Sequence, residues 1–286
     1  MNNQIDVVYL LGAGRSGTTI LSTILNANEK INSIGELHQF YEYLLHNKAC
    51  SCSQPMAKCP FWKGVVDGFD LESLNIGETA AYTERLESHR NVFRFLLGKP
   101  PKEYLERQKE LFSVIEQNVP QGNLILDTSK YLARFLLLRK SPFLNVKGIY
   151  VIRDVRGVVN SFGKKVQTSR SPISAILYYL LVNTMAQFIS WRYKDILKIR
   201  YEDFVNEPEK TLKEINIFLE LDEDSTDFRT KEFEMPHIVG GNRIKTKSKL
   251  KLTSDERWKS VFTKRQKTLY YLLAFPIMVI NKYKIL

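Results

Sequence analysis

An apolar, β-branched run at residues 7–11 stops at Gly12-Ala13-Gly14-Arg15-Ser16-Gly17, and residues 18–28 then carry Ile20, Leu21, Ile24 and Leu25 at helical spacing. Strand, glycine turn and helix in that order begin a parallel α/β unit. The turn presents successive backbone N–H groups at a helix N-terminus, where aligned peptide dipoles favour an anion. Gly14 and Gly17 keep the backbone open to a ligand, Ser16, Thr18 and Thr19 add hydroxyl donors, and Arg15 adds a cation. A terminal phosphate suits this set.

Two better-known glycine patterns are each met only in part. A Walker loop needs lysine where Thr18 stands, so γ-phosphate chemistry lacks its cation. Gly12-x-Gly14-x-x-Gly17 also fits the dinucleotide fingerprint, with Glu36 placed to bind a ribose, and an NAD(P)-dependent oxidoreductase is one open reading.

Further strands are expected at residues 31–34, 124–126, 148–152 and 197–200. The first three run into Gly35-Glu36, Asp127-Thr128-Ser129-Lys130 and Arg153-Asp154, which puts polar residues at strand carboxyl ends. Helices are expected over 18–28, 37–47, 80–97, 102–118, 173–194 and 207–221, with Lys99-Pro100-Pro101 as a breaker and Pro208 opening the last. This alternation makes an α/β fold with a central parallel sheet covered by helices on both faces and ligands beyond its carboxyl edge. Arg153 and Ser161, one to two helical turns apart, can converge on one anion, since a guanidinium forks onto a phosphate as lysine cannot. The competing use of Arg153 is a structural ion pair with Asp127 or Asp154.

The net charge of +11 over 286 residues favours a polyanionic partner, which leaves a non-enzymatic polyanion-binding protein as another reading. With 44% hydrophobic residues the chain can bury a large core, and an ordered globular fold is expected. The polar start lacks the basic, apolar, small-residue order of a secretory leader, so a cytoplasmic location is expected. The longest apolar stretch, residues 269–280, is too short to cross a bilayer and contains Pro276. It is read as a buried or interfacial helix, able to make peripheral membrane contact.

Three separated segments resemble the sulfotransferases that use 3′-phosphoadenosine 5′-phosphosulfate (PAPS), in the Arg-Ser-Gly-Thr-Thr branch that includes bacterial, carbohydrate and tyrosylprotein enzymes. Arg15-Ser16-Gly17-Thr18-Thr19 is similar to the family's 5′-phosphosulfate loop, and Val151-Ile152-Arg153-Asp154 through Asn160-Ser161 to its 3′-phosphate element. Arg200-Tyr201-Glu202-Asp203-Phe204, with Glu207-Pro208 and Ile217-Phe218-Leu219, resembles a third segment. The resemblance implies a P-loop-like three-layer fold over one domain, residues 1–286, with a Cys-containing loop and a helical insertion on the acceptor side at about 48–122. It also implies PAPS as co-substrate, a hydroxyl-bearing acceptor such as a carbohydrate, no nucleic-acid partner and no metal requirement.

By the same resemblance Glu36, after the second strand, is the general base, with His38 as the alternative. Arg15 stabilises charge on the leaving group, Lys130 reaches the sulfuryl oxygens, and Arg243, in Gly240-Gly241-Asn242-Arg243, contacts the 3′-phosphate from a lid. Cys50, Cys52 and Cys59, with His46, are expected to act structurally, as a metal clip, a local disulfide or packed thiols. Phe40, Tyr41, Tyr43 and Tyr82 can stack a sugar or sterol, or form core.

Overall fold

The computed structural model describes residues 4–70, 74–164, 169–222, 232–241 and 243–285. Five strands stand in one sheet in the order β2-β3-β1-β4-β5, comprising β1 (Ile5–Leu11), β2 (Ile31–Gly35), β3 (Leu124–Lys130), β4 (Leu144–Ile152) and β5 (Ile196–Arg200). A two-stranded sheet pairs β6 (Glu232–Glu234) with β7 (Lys249–Lys251). The chain forms two compact units, Met1–Leu11 with Thr19–Gly148 and Phe233–Leu250, and Gly12–Thr18 with Ile149–Glu232 and Lys251–Leu286.

In the first unit β3 lies parallel between β1 and β2, with Val7 opposite Ile125 and Ile31 opposite Leu124. β1 reads as a near-continuous apolar run, and all three strands are mostly buried, polar residues of β2 and β3 included, because a parallel sheet is covered on both faces. The register slips between Tyr9 and Leu11 and between Ser33 and Gly35, so the ladders break at their carboxyl ends. Gly35 and Lys130 both take positive φ there, +82° and +68°. The helices are α1 (Thr18–Leu25), α2 (Phe40–Leu45), α3 (Trp62–Asp67), α4 (Ile76–Glu87), α5 (Val92–Leu97), α6 (Lys102–Gln117) and α7 (Leu132–Arg139). Phe40 packs its ring against Trp62 and Phe69, so Phe40 and its buried neighbours Tyr41 and Tyr43 are core.

The second unit holds α8 (Val155–Phe162), α9 (Pro172–Arg192), α10 (Tyr201–Asn206), α11 (Pro208–Leu219), α12 (Trp258–Val261), α13 (Lys264–Leu273) and α14 (Phe275–Ile280). By length and composition α9 could cross a membrane, yet half of its most apolar window is buried inside the protein. Arg156 ties α8 to the C-terminal residues of this unit. The guanidinium forks onto Asp154 at 2.9 and 2.6 Å, donates to the carbonyls of Lys284 and Ile285, and lies 4.3 Å from the Trp258 ring.

The expected elements differ from the structure most clearly in four places. The helix expected over 80–97 is two, because Ser88 ends α4 and its hydroxyl accepts the Arg90 N–H to start a new turn. The strand expected at 124–126 continues to Lys130, since the buried Asp127 is satisfied by Arg134 rather than by water. The apolar stretch 269–280 breaks at Ala274, with Pro276 in the first turn of α14, and leaves Leu272, Phe275 and Val279 exposed. The basic tail of residues 243–251, whose charge run reads as a loop, holds a 3₁₀ turn, Arg243–Thr246, and β7.

Candidate active site

The glycine loop belongs to the second unit, and it is shaped by close approaches that side chains would block. Gly12 has φ +124°, and a Cβ there would stand 2.3 Å from the Val151 carbonyl oxygen. Gly17 has φ +89°, and its Cβ would stand 2.3 Å from the Tyr201 ring. Only glycine fits either place. Gly17→Ala is accordingly expected to cost about 1–3 kcal/mol, through backbone strain and the clash with Tyr201. Chemical denaturation checks it; an unchanged midpoint would contradict this geometry.

Arg15 adopts φ +70°, a left-handed conformation that a non-glycine residue holds only when its surroundings impose it. Its guanidinium lies 5.5 Å from the Phe162 ring, next to Ser161 at the end of α8. Arg153 donates from Nη1 to the Arg15 carbonyl at 3.1 Å and from Nη2 to the Asp255 carbonyl at 2.8 Å, above the Tyr201 ring at 4.2 Å. The loop and the Arg153 element therefore meet. Both expected structural partners of Arg153 are held by other arginines, Asp127 by Arg134 Nε at 2.9 Å and Asp154 by Arg156.

The loop's polar atoms have distinct fates. The Gly14 N–H donates to the Tyr178 hydroxyl at 3.0 Å. Ser16 is fully buried, and its Oγ has no hydrogen-bond partner among the described residues. A buried hydroxyl without a partner costs free energy that an anionic ligand recovers. Thr18 and Thr19 open α1. Asp255 sits among cations, 2.7 Å from Arg257 Nε, 3.0 Å from Lys164 Nζ and 3.8 Å from Arg153 Nη2, and the Arg257 hydrogen bond leads in holding its carboxyl well below the usual range.

In the first unit, Glu36 follows β2 and pairs with Lys130 at 2.6 Å, its other oxygen accepting from Gln39 Nε2 at 2.9 Å. Lys130 also donates to the Thr128 carbonyl at 2.7 Å. The Glu36 N–H donates to the Val239 carbonyl at 2.8 Å, and a Cβ on Gly240 would approach Glu36 Cβ to 2.5 Å. Gly240 therefore packs on Glu36. Lys245 donates to the Tyr43 hydroxyl at 2.6 Å. The side chain of Arg243 and the whole of Asn242 lie outside the described residues.

Burial, with the Lys130 charge second, pushes the His38 imidazole down to about 3. Its ring packs on Tyr131 at 4.5 Å, and its backbone N–H donates to Ser129 Oγ at 3.0 Å. A cavity of about 460 Å³ opens here, lined by His38, Gln39, Glu42, Ala80, Glu84 and Tyr131 among others.

Sequence reasoning missed Tyr178, Asp255 and Arg257, and quoted Tyr201 without a role. The only signal for Asp255 and Arg257 was the charged run Asp255-Glu256-Arg257, which looks like any solvated loop.

The sequence model of a family described as "Sulfotransferase family" matches residues 7–225. No curated protein matches the chain. Among solved structures, the sulfotransferase domain from the curacin biosynthetic pathway aligns at 17% identity over 99% of both chains, with a TM-score of 0.60. The sulfotransferase domain from the Synechococcus PCC 7002 olefin synthase aligns at 18% identity over 99% of this chain and 97% of that one, with a TM-score of 0.57. At these identities the two structures speak for the fold.

Proposed function

We propose, from the premise that this chain belongs to the sulfotransferase family, that it transfers a sulfuryl group from PAPS to a hydroxyl of a carbohydrate or other small polar acceptor. The observation that carries the nucleotide assignment is the 3.1 Å bond from Arg153 to the Arg15 carbonyl, beside the Ser16 hydroxyl, which has no partner among the described residues. Two anion-binding elements in one place suit a nucleotide with phosphate groups at both its 3′ and 5′ positions. Gly14, Ser16, Gly17, Thr18 and Thr19 would take the 5′ end, and Arg153 with Ser161 the 3′-phosphate.

In this reaction the acceptor oxygen forms its bond to sulfur as the bond from sulfur to the departing phosphate oxygen breaks. The acceptor's proton passes to Glu36, and Arg15 offsets the charge left on the departing adenosine bisphosphate. Lys130, beside Glu36, would neutralise the sulfuryl oxygens. Burial and the neighbouring Lys130 charge disfavour the protonated His38 imidazole, and His38 stands as the alternative base. The cavity at His38 and Tyr131 is the acceptor pocket in this reading, and its Gln39, Glu42 and Glu84 suit a polyol better than a sterol.

The nicotinamide reading is not favoured. In a dinucleotide-binding sheet the first two strands are neighbours, whereas here β3 stands between β1 and β2. Calorimetric titration with adenosine 3′,5′-bisphosphate, NAD and ATP tests the assignment. The first is expected to bind in the micromolar range or tighter and the others far more weakly, with Arg153→Ala abolishing binding and Arg153→Lys restoring little of it. Tight NAD binding, or full binding by Arg153→Ala, would overturn it.

A further inference from the structure

We infer that Cys50, Cys52, Cys59 and His237 bind one Zn²⁺ ion as a closed structural site. The three sulfurs and one imidazole nitrogen all lie within 4.8 Å of one another. His237 Nδ1 stands 3.3 Å from Cys59 Sγ and 3.9 Å from Cys50 Sγ. A tetrahedral zinc with bonds of about 2.3 Å to sulfur and about 2.0 Å to nitrogen sets a sulfur-to-nitrogen edge of roughly 3.5 Å, between those two distances. Three thiolates and one histidine with no open position form a recurring structural zinc set. His46, expected from its nearness in sequence to complete the group, is exposed and stands outside it.

The surroundings are those of a ligand shell. Cys50 and Cys59 are buried, and all three cysteines are free thiols. Backbone N–H groups of Trp62 and Phe61 approach the Cys59 sulfur, and that of Cys52 approaches the Cys50 sulfur. Such donors orient metal-bound thiolates and offset their charge. A disulfide would use two sulfurs and leave the third thiol and the histidine without a role.

The site would also support Glu36. It joins the loop of Cys50–Cys59 to the segment around His237, which is already fastened by Trp62 Nε1 to the His237 carbonyl at 2.9 Å and by the Ile238 N–H to Ser51 Oγ at 3.0 Å. The next residue, Val239, pairs with both Ile34 and Glu36. The clip thus braces the strand end from which Glu36 projects, and it stands whether or not the reaction proposed above is right.

The test uses the full chain, without a histidine tag, purified under reducing conditions. Elemental analysis is expected to find one zinc per chain, with the thiols silent to a thiol reagent until a strong chelator is added. The stripped protein should take up one equivalent of Zn²⁺ against a chromophoric competitor, and Co²⁺ should give the thiolate charge-transfer absorption of a tetrahedral sulfur site. His237→Asn should weaken uptake by at least about tenfold, the size that even an outer partner commands, while His46→Asn should leave it unchanged. Thiols that stay reactive with equimolar Zn²⁺ present, or a disulfide that on reduction takes up no metal, would overturn the inference. Both readouts come from the native sequence, so a variant that fails to fold does not decide the matter.

Discussion

Glu36→Gln is expected to leave a folded protein that still binds adenosine 3′,5′-bisphosphate, while its turnover falls by about 10²–10⁴-fold, the range a general base contributes. Glutamine keeps the shape of the side chain and one oxygen, which can accept from Lys130 while the Gln39 amide turns its own oxygen to the new NH2, so what disappears is the charge and the capacity to take a proton. The pair is about one-sixth exposed on each side, and stability should move by little compared with the rate. The assay is sulfate transfer from labelled PAPS to whichever member of a panel of sugars, phenols, sterols and peptides is turned over. A loss of kcat under tenfold, with binding intact, would remove Glu36 from the role. The acidity of the acceptor supplies a further check, because an acceptor that loses its proton easily needs the base less. The deficit should shrink from alcohols to phenols.

Much of this arrangement is written in local patterns. Strand ends at Leu11, Gly35 and Ile152 followed from apolar runs that stop at glycine or charge, and Arg15, Glu36 and Arg153 all project from such ends. What stayed hidden were partners far along the chain. His237 lies 178 residues from Cys59, Tyr178 lies 164 residues from Gly14, and Asp255 lies 102 residues from Arg153. No periodicity links such segments, whereas nearness in sequence wrongly promoted His46. Polar residues misled in a second way. The strand at 124–126 is expected to stop at Asp127-Thr128-Ser129 because nothing in the pattern shows that an arginine on α7 will follow the aspartate into the core.

That buried arginine should have the largest effect on folding of any single position considered. Arg134→Met is expected to destabilise the protein by about 3–5 kcal/mol, the cost of leaving buried carboxylates without their cation. Arg134 is 1% exposed, and it bonds Asp127 from Nε at 2.9 Å, Gln108 from Nη1 at 3.0 Å, and Glu87. Burial pushes the Glu87 carboxyl above its ordinary 4.5, and the arginine is the chief force opposing that rise. Without it the folded state holds a proton that the unfolded chain releases. A carboxyl whose folded pKa is raised favours folding at acid pH and loses that contribution as pH climbs from the unfolded value to the folded one. The deficit of Arg134→Met should therefore be smallest near the unfolded carboxylate range and widest at neutral pH, as read by urea unfolding at a series of pH values. Adding Glu87→Gln and Asp127→Asn should recover part of the loss, since neutral amides carry no charge to strand. A pH-independent deficit, or no recovery, would mean that lost packing accounts for the change. The network also reaches the site. Asp127 accepts from Ser129, Ser129 Oγ accepts from the His38 backbone, and Lys130 follows next in the strand. Arg134, which touches no substrate in this reading, thus holds the strand end that presents Lys130 to Glu36, and its loss should lower turnover even where the protein remains folded.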